Sequence, residues 1–168
     1  MQQVIKYFNG ELLQCTIGIV ISIASIGASL FFLFKIKTDF YKGMAYVFIL
    51  ISGLLLIICI GVVLRTSQDV ERVSGFVQHE SIKIRTLEIP RMNTVMQNFK
   101  IIKIVEACLI IIGLCLLLLS PSGTLWKGIG LGLLIQAATM LTFDIVAANR
   151  GKVYLESLHK ITYSETRQ

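Results

Sequence analysis

Apolar residues gather along the chain into four long runs that polar segments separate. The runs cover residues 12–34, 44–64, 104–120 and 125–148. A helix needs about 17 to 25 residues to cross the roughly 30 Å of hydrocarbon in a bilayer, and each run is close to that length. The ten-residue alternating segments of a membrane β-barrel are absent from the sequence. The pattern predicts an all-α integral membrane four-helix bundle that forms one membrane domain over residues 1–168.

The connection between the second and third runs, residues 65–103, is too long for a turn. Apolar residues keep a helical spacing at both of its ends, which predicts that helices two and three extend into a cytoplasmic hairpin. Pro90 suits a first helical turn, so a helix is expected from Pro90 to Ser120. Between these helices, polarity alternates from Ile82 to Arg85 and predicts a short extended segment. The tail, residues 149–168, is amphipathic and is expected to pack on the hairpin.

Two copies of one short pattern, aromatic residue, Lys and Gly, lie 85 residues apart, with their glycines at Gly43 and Gly128. The same shift brings Arg65 onto Arg150, just past the ends of the second and fourth runs. The chain is therefore expected to consist of two parallel-repeated transmembrane hairpins, each with its own copy of a similar outer turn. Chance similarity between apolar runs is the alternative.

Small residues recur at helical spacing within the runs and predict the surfaces on which the helices pack. The first run carries such a face from end to end, and shorter ones lie on the third and fourth. The three predicted faces are Glu11, Cys15, Gly18, Ser22, Ser25 and Ser29; Glu106, Gly113 and Ser120; and Gly128, Gly132, Gln136 and Thr139.

Composition and charge then indicate where in the cell the protein lies. The chain has 168 residues, of which 55% are hydrophobic and 15% are charged, more apolar surface than a soluble domain can cover. Twelve of the 16 Lys and Arg residues lie in the two tails and the 65–103 connection, and four lie on the other side. By the positive-inside rule, the sequence predicts a bacterial inner-membrane protein with both termini in the cytoplasm. The net charge of +6 suits anionic lipid headgroups, and no basic stripe typical of nucleic-acid binding occurs.

Few residues suggest catalysis or metal binding. The four cysteines all lie inside apolar runs without a C-x-x-C pair, so packing is their expected role. The two histidines lack the spacing of a metal site, and no nucleotide-binding or nucleophile motif occurs. We predict no metal, no cofactor and no catalytic residue.

Seven polar residues are candidate binding residues. An ionisable group at membrane depth is by default a functional-site hypothesis, although ion pairing at the interface is the simpler alternative. The arginines that follow the spans can also simply reach lipid phosphates. The candidates are Glu106, Gln136 and Asp144 in the spans, Arg65 and Arg150 beyond them, and Glu80 and Arg91 in the connection.

Three functional classes remain open at this point. We favour a small non-catalytic protein that binds another membrane or secreted protein, either as an immunity-type inhibitor of a pore-forming toxin or as an accessory subunit. A second class is a proton-coupled carrier or channel, working as a dimer through Asp144, Gln136 and Glu106. A third is a membrane enzyme acting on a lipid or a thiol. Its polar set would be Glu80, Glu88, Arg85 and Arg91. A homo-oligomer is compatible with all three.

Overall fold

A computed structural model describes residues 2–79 and 81–165 of the chain. Four long helices dominate it, and the described residues contain no strand. A three-residue helix, α3, precedes the third long helix. The all-α, four-helix prediction is confirmed. The helices are α1 (Gln2–Phe31), α2 (Asp39–His79), α3 (Ser81–Lys83), α4 (Ile89–Leu119) and α5 (Leu125–Glu165).

Short turns connect α1 to α2 and α4 to α5 at one end of the bundle. After α1, a π-helical turn (Phe32–Ile36) ends at Lys37, which has a left-handed φ of 57° and donates its N–H to the Phe32 carbonyl at 3.1 Å. The second turn uses Gly123, at a φ of 80°, and the Thr124 hydroxyl, which accepts the Lys127 N–H at 3.4 Å. Both turns reverse the chain within a few residues, so each pair of helices forms a hairpin.

Helices α2 and α5 form the centre of the bundle, with α1 packed on α2 and α4 packed on α5. The outer surface is apolar over much of its area: Leu50, Leu64 and Leu119 are 75%, 74% and 84% exposed. All four long helices are long and apolar enough to cross a membrane. A helix that stays apolar on its exposed faces is typical of a lipid environment and not of water.

The interior is built from small residues, as the predicted packing faces require. Gly18, Ser22 and Ser29 of α1 are buried, and a Cβ placed on Gly18 would lie 2.9 Å from the Cys59 Sγ of α2. On α4, a Cβ added to Gly113 would lie 2.9 Å from the Gly130 carbonyl oxygen of α5. Small residues therefore let the helix backbones approach closely, which is how packing is achieved where the surroundings are apolar.

The closest approach in the bundle joins α2 to α5 near the two turns. A Cβ on Gly43 would collide with the carbonyl oxygen of Leu125, and a Cβ on Gly128 would collide with that of Phe40. The next atoms are also backbone atoms, the Ile129 amide nitrogen beside Gly43 and the Phe40 carbonyl carbon beside Gly128. The contact is reciprocal, since each glycine lies against the backbone of the turn that precedes the other glycine in sequence.

At the opposite end, α1, α2, α4 and α5 enclose a second core made of large side chains. Its fully buried members include Phe8, Met92, Tyr154 and Leu158. The predicted packing of the tail on the hairpin is thus confirmed, although Val153 of the tail is 57% exposed. No pattern in the sequence indicates that the first turns of α1 also enter this core, where Val4 and Phe8 are buried.

The predicted extended segment at 82–85 is wrong. The chain there is helical, with α3 followed by a π-helical turn (Ile84–Glu88) that leads directly into α4. Both Ile84 and Glu88 are buried, whereas Ile82 is 77% exposed. The apolar and polar alternation therefore does not correspond to burial with a period of two: residues two apart on a helical turn, such as Ile82 and Ile84, face different sides, and only Ile84 faces the core. A π-helical turn adds a residue to a helical repeat and so changes which side chains face inward.

Candidate functional site

Two clusters of polar side chains contain three of the seven candidate residues. One, in the large-side-chain core at the end opposite the two turns, holds Arg91, and the other, between α4 and α5, holds Glu106 and Asp144. Gln136 makes a third polar contact, which joins α2 to α5. Arg150 lies in the cleft between α1 and α5, and Arg65 lies in an ion-pair network beside the first cluster. Glu80 lies outside the described residues.

Glu88 is the centre of the first cluster. Its side chain is only 2% exposed, and Arg91 clamps it with two hydrogen bonds, from Nε at 2.9 Å and from Nη2 at 2.6 Å. The Tyr154 hydroxyl donates a third hydrogen bond to the same carboxylate at 3.0 Å. Tyr7 of α1 stacks on Tyr154, with ring centroids 4.3 Å apart. The buried carboxylate therefore connects the start of α4 to α5, and the Tyr7–Tyr154 stack adds α1 to this connection.

Arg65 belongs to a half-exposed ion-pair network beside this core. Its guanidinium lies 3.7 Å from the Glu11 carboxylate of α1 and 3.6 Å from Asp69 on its own helix. Asp69 also pairs with Arg72 at 2.8 Å. Arg65 thus ties α1 to α2, and long, partly exposed pairs of this kind contribute little individually.

Arg150 has a different environment from Arg65, although the two occupy matching positions in the sequence. It crosses to α1 and donates a hydrogen bond to the Gln14 amide oxygen, while the Gln14 amide nitrogen donates to the Phe143 carbonyl at 2.7 Å. Gly10 makes room for it, because a Cβ there would lie 2.5 Å from the guanidinium. Its Nε is buried without a hydrogen-bond partner among the described residues.

Glu106 and Asp144 are brought together across the α4/α5 interface. Glu106 is 2% exposed, and neither of its carboxyl oxygens has a hydrogen-bond partner of good geometry among the described residues. Asp144 is its electrostatic neighbour, and the charge of Lys103 acts on both carboxyl groups. Two acidic groups in an apolar interface repel when both are ionised, so such a pair favours taking up a proton or a cation.

Gln136 does not join that pair. Its amide nitrogen donates a hydrogen bond of 3.1 Å to the Ser52 hydroxyl of α2, in the interior of the bundle. Its predicted interhelical role is confirmed, and the proposed grouping of Gln136 with Glu106 and Asp144 is not observed among the described contacts.

Among the residues in these contacts, three were not predicted from the sequence: Gln14, Ser52 and Tyr154. Gln14 had a usable signal, because an amide inside an apolar run needs a partner. Tyr154 did not, since an aromatic residue on an amphipathic tail is ordinary. No group of three or more His, Cys, Asp or Glu side chains suited to a metal ion occurs within residues 2–79 and 81–165.

Comparison of the chain with protein-family models, curated proteins and solved structures finds no match. Function must therefore be argued from the geometry of these clusters.

Proposed function

We propose that this chain is a small bacterial inner-membrane protein that acts without catalysis, by binding another membrane-active protein. The observation that supports this best is the Glu106–Asp144 pair, two carboxyl groups between apolar helices, because the buried Glu106 oxygens have no hydrogen-bond partner of good geometry among the described residues. A Lys or Arg side chain on a partner's transmembrane helix would neutralise the pair by reaching Asp144, which is partly exposed, whereas Glu106 is buried. Charges inside a bilayer are stable only when they are paired, which makes an acidic pair selective for a basic partner.

The membrane location rests on the apolar exterior of the four long helices. The excess of Lys and Arg at the end that holds the large-side-chain core favours placing that end, and both termini, in the cytoplasm. The reciprocal Gly43 and Gly128 contact supports the interpretation of the chain as two copies of one hairpin, related by an approximate two-fold axis.

The partner takes one of two forms, a pore-forming toxin that this chain inhibits or a larger membrane complex of which it is an accessory subunit. In both, α4 is the element that would meet the partner. It packs mainly on α5 within the bundle, so much of its surface, including Val105 at 52% exposed and Ile104 at 65%, faces outward beside Glu106.

The test is photo-crosslinking in native membranes from a reactive residue placed at Val105. A single heteromeric adduct is expected, and it should disappear when Glu106→Gln and Asp144→Asn are combined. Glu71→Gln combined with Glu156→Gln removes the same number of carboxylates at exposed sites and is the control. Mutation of a basic transmembrane residue of the crosslinked partner should also abolish the adduct. An adduct that survives neutralisation, or self-association alone, contradicts the proposal.

The same carboxyl pair favours a second candidate, a proton-coupled carrier. Against it stands the backbone contact at Gly43 and Gly128, which leaves little space between α2 and α5 at the end near the turns. Reconstituted protein should show proton flux that Asp144→Asn abolishes if the carrier interpretation holds. If proton flux is absent and the crosslinked adduct depends on the charged pair, the results favour the interpretation as a protein that binds a partner.

A further inference from the structure

A groove runs between α1 and α5, where these helices touch only in part. It has two lobes that meet at Gly10 and Arg150. One lobe, of about 450 Å³, is lined by polar and aromatic side chains, including Gln3, Lys6, Asn149 and Tyr154. The other, of about 400 Å³, is almost wholly apolar and is lined by Leu13, Ile17, Phe143 and Val146. Each lobe is within the size range of ordinary ligand pockets.

The charge of the groove is positive. Lys6 and Arg150 line it, no carboxylate does, and neither cation forms an ion pair with a described residue. Arg150 is bonded to a neutral amide, and its buried Nε lacks a partner. Arg91, by contrast, is neutralised by its own carboxylate partner. The Glu11 charge reaches Arg150 only from a distance, since Glu11 pairs with Arg65. A guanidinium in this state is a good site for an anionic oxygen.

The two lobes also differ in depth along the bundle. Gly10 and Arg150 lie just beyond the apolar runs 12–34 and 125–148, so the polar lobe would lie at the level of the inner headgroups. The apolar lobe would lie in the hydrocarbon layer beneath it. A water-soluble anion would leave that second lobe unused.

We infer that this groove binds one anionic phospholipid of the inner leaflet, with its phosphate on Arg150 and Lys6 and an acyl chain along the apolar lobe. The inference rests on the proposed membrane location, and it is independent of the protein partner. Gly10 lies where the two lobes meet, and its missing side chain lets the Arg150 guanidinium lie across α1 at that point.

The binding test uses purified full-length protein and native mass spectrometry in mixed micelles of phosphatidylglycerol and phosphatidylcholine. Retention of one phosphatidylglycerol molecule is expected. Arg150→Gln should weaken retention about tenfold or more, because it removes a charge-assisted hydrogen bond. Lys152→Gln, which removes an equal charge from an exposed site on the same helix, should leave retention unchanged. Equal losses in the two variants would overturn the inference.

The apolar lobe is tested separately, because Arg150→Gln also removes the bond to Gln14. Val146→Trp fills the lobe, while Ile145→Trp adds the same ring at a neighbouring, similarly exposed position outside it. Only the first should reduce lipid retention. Inorganic phosphate is then added as a competitor: full displacement of the lipid would show a free-anion site and overturn the lipid assignment, whereas failure to compete supports it.

The two proposals fail in distinguishable ways. If alkali extracts the protein from membranes, both the partner proposal and the lipid inference are contradicted. If the protein stays in the membrane and shows the charge-dependent adduct but retains no phosphatidylglycerol, only the lipid inference is contradicted.

Discussion

Gly43 of α2 and Gly128 of α5 lie against each other's helices, each on the carbonyl group three residues before the other. A side chain at either position would have to displace a backbone, which cannot rotate away as a side chain can. This contact sets the separation of the two central helices near the turns. It is also the tightest of the contacts that the described glycines make.

Gly128→Ala is therefore expected to destabilise the bundle by about 1–3 kcal/mol or more, the usual cost of adding volume to a filled interior. Thermal unfolding in detergent, followed by far-UV circular dichroism, measures the effect. Gly53→Ala is the control, because a Cβ at Gly53 meets no atom within 4 Å and alanine is the better helix former. A midpoint for Gly128→Ala that equals that of Gly53→Ala would show that the close contact is not required.

Removal of Arg91 should be far more harmful than removal of an exposed arginine. Arg91→Leu leaves the Glu88 carboxylate buried without its counter-charge, at an expected cost of about 3–5 kcal/mol. Tyr154→Phe loses one hydrogen bond to the same carboxylate and should cost about 0.5–1.5 kcal/mol. Chemical unfolding in micelles compares both with Arg85→Leu, whose side chain is exposed. If Glu88→Leu combined with Arg91→Leu is no less damaging than Arg91→Leu alone, the unpaired charge is not the cause.

The Ser52–Gln136 hydrogen bond should contribute a modest amount. Interhelical hydrogen bonds in membrane proteins average about 0.6 kcal/mol and reach about 1.7 kcal/mol. A double-mutant cycle with Ser52→Ala and Gln136→Leu should give a coupling energy in that range. Thr139→Val is the matched control on α5, since its hydroxyl bonds only the Ile135 carbonyl of its own helix at 2.9 Å. A coupling of zero would show that the bond does not form in lipid.

Orientation is tested by labelling single cysteines in a variant whose four native cysteines are replaced. Ser122→Cys, in the turn between α4 and α5, should react with a membrane-impermeant maleimide added to whole cells. Arg85→Cys, near the start of α4, should react only after permeabilisation. Both positions are exposed, so a difference in labelling between them would reflect the side of the membrane and not burial. The reverse pattern would invert the proposed topology.

The helices and their packing faces could be predicted because both follow from local periodicity. The spacing of Gly18, Ser22 and Ser29 marks one face of α1 whatever lies beside it. The helical spacing near Pro90 predicted a helix beginning there, and α4 begins at Ile89. In such cases the residues close in sequence contain the necessary information.

The sites depended on which helices become neighbours, and local pattern does not determine that. Glu106 and Asp144 are on different helices, and nothing in their spacing predicts that they face each other. Arg65 and Arg150 match in sequence, yet one pairs with carboxylates and the other with an amide, because α1 presents Glu11 to the first and Gln14 to the second. The strand-like alternation at 82–85 misled for a related reason, since the neighbouring helices, and not the local pattern, determine that Ile84 is buried and Ile82 is exposed.

The Gly43–Gly128 contact has a mechanical consequence. Helices α2 and α5 are 41 residues long, about 60 Å at 1.5 Å per residue, and their tightest contact lies close to one end. Because the two helices are in closest contact there, they can separate elsewhere most easily by rotating about this contact. A small change in crossing angle at the glycines becomes a displacement of several ångströms toward the other end, where Val73 of α2 and Tyr154 of α5 are buried in one core.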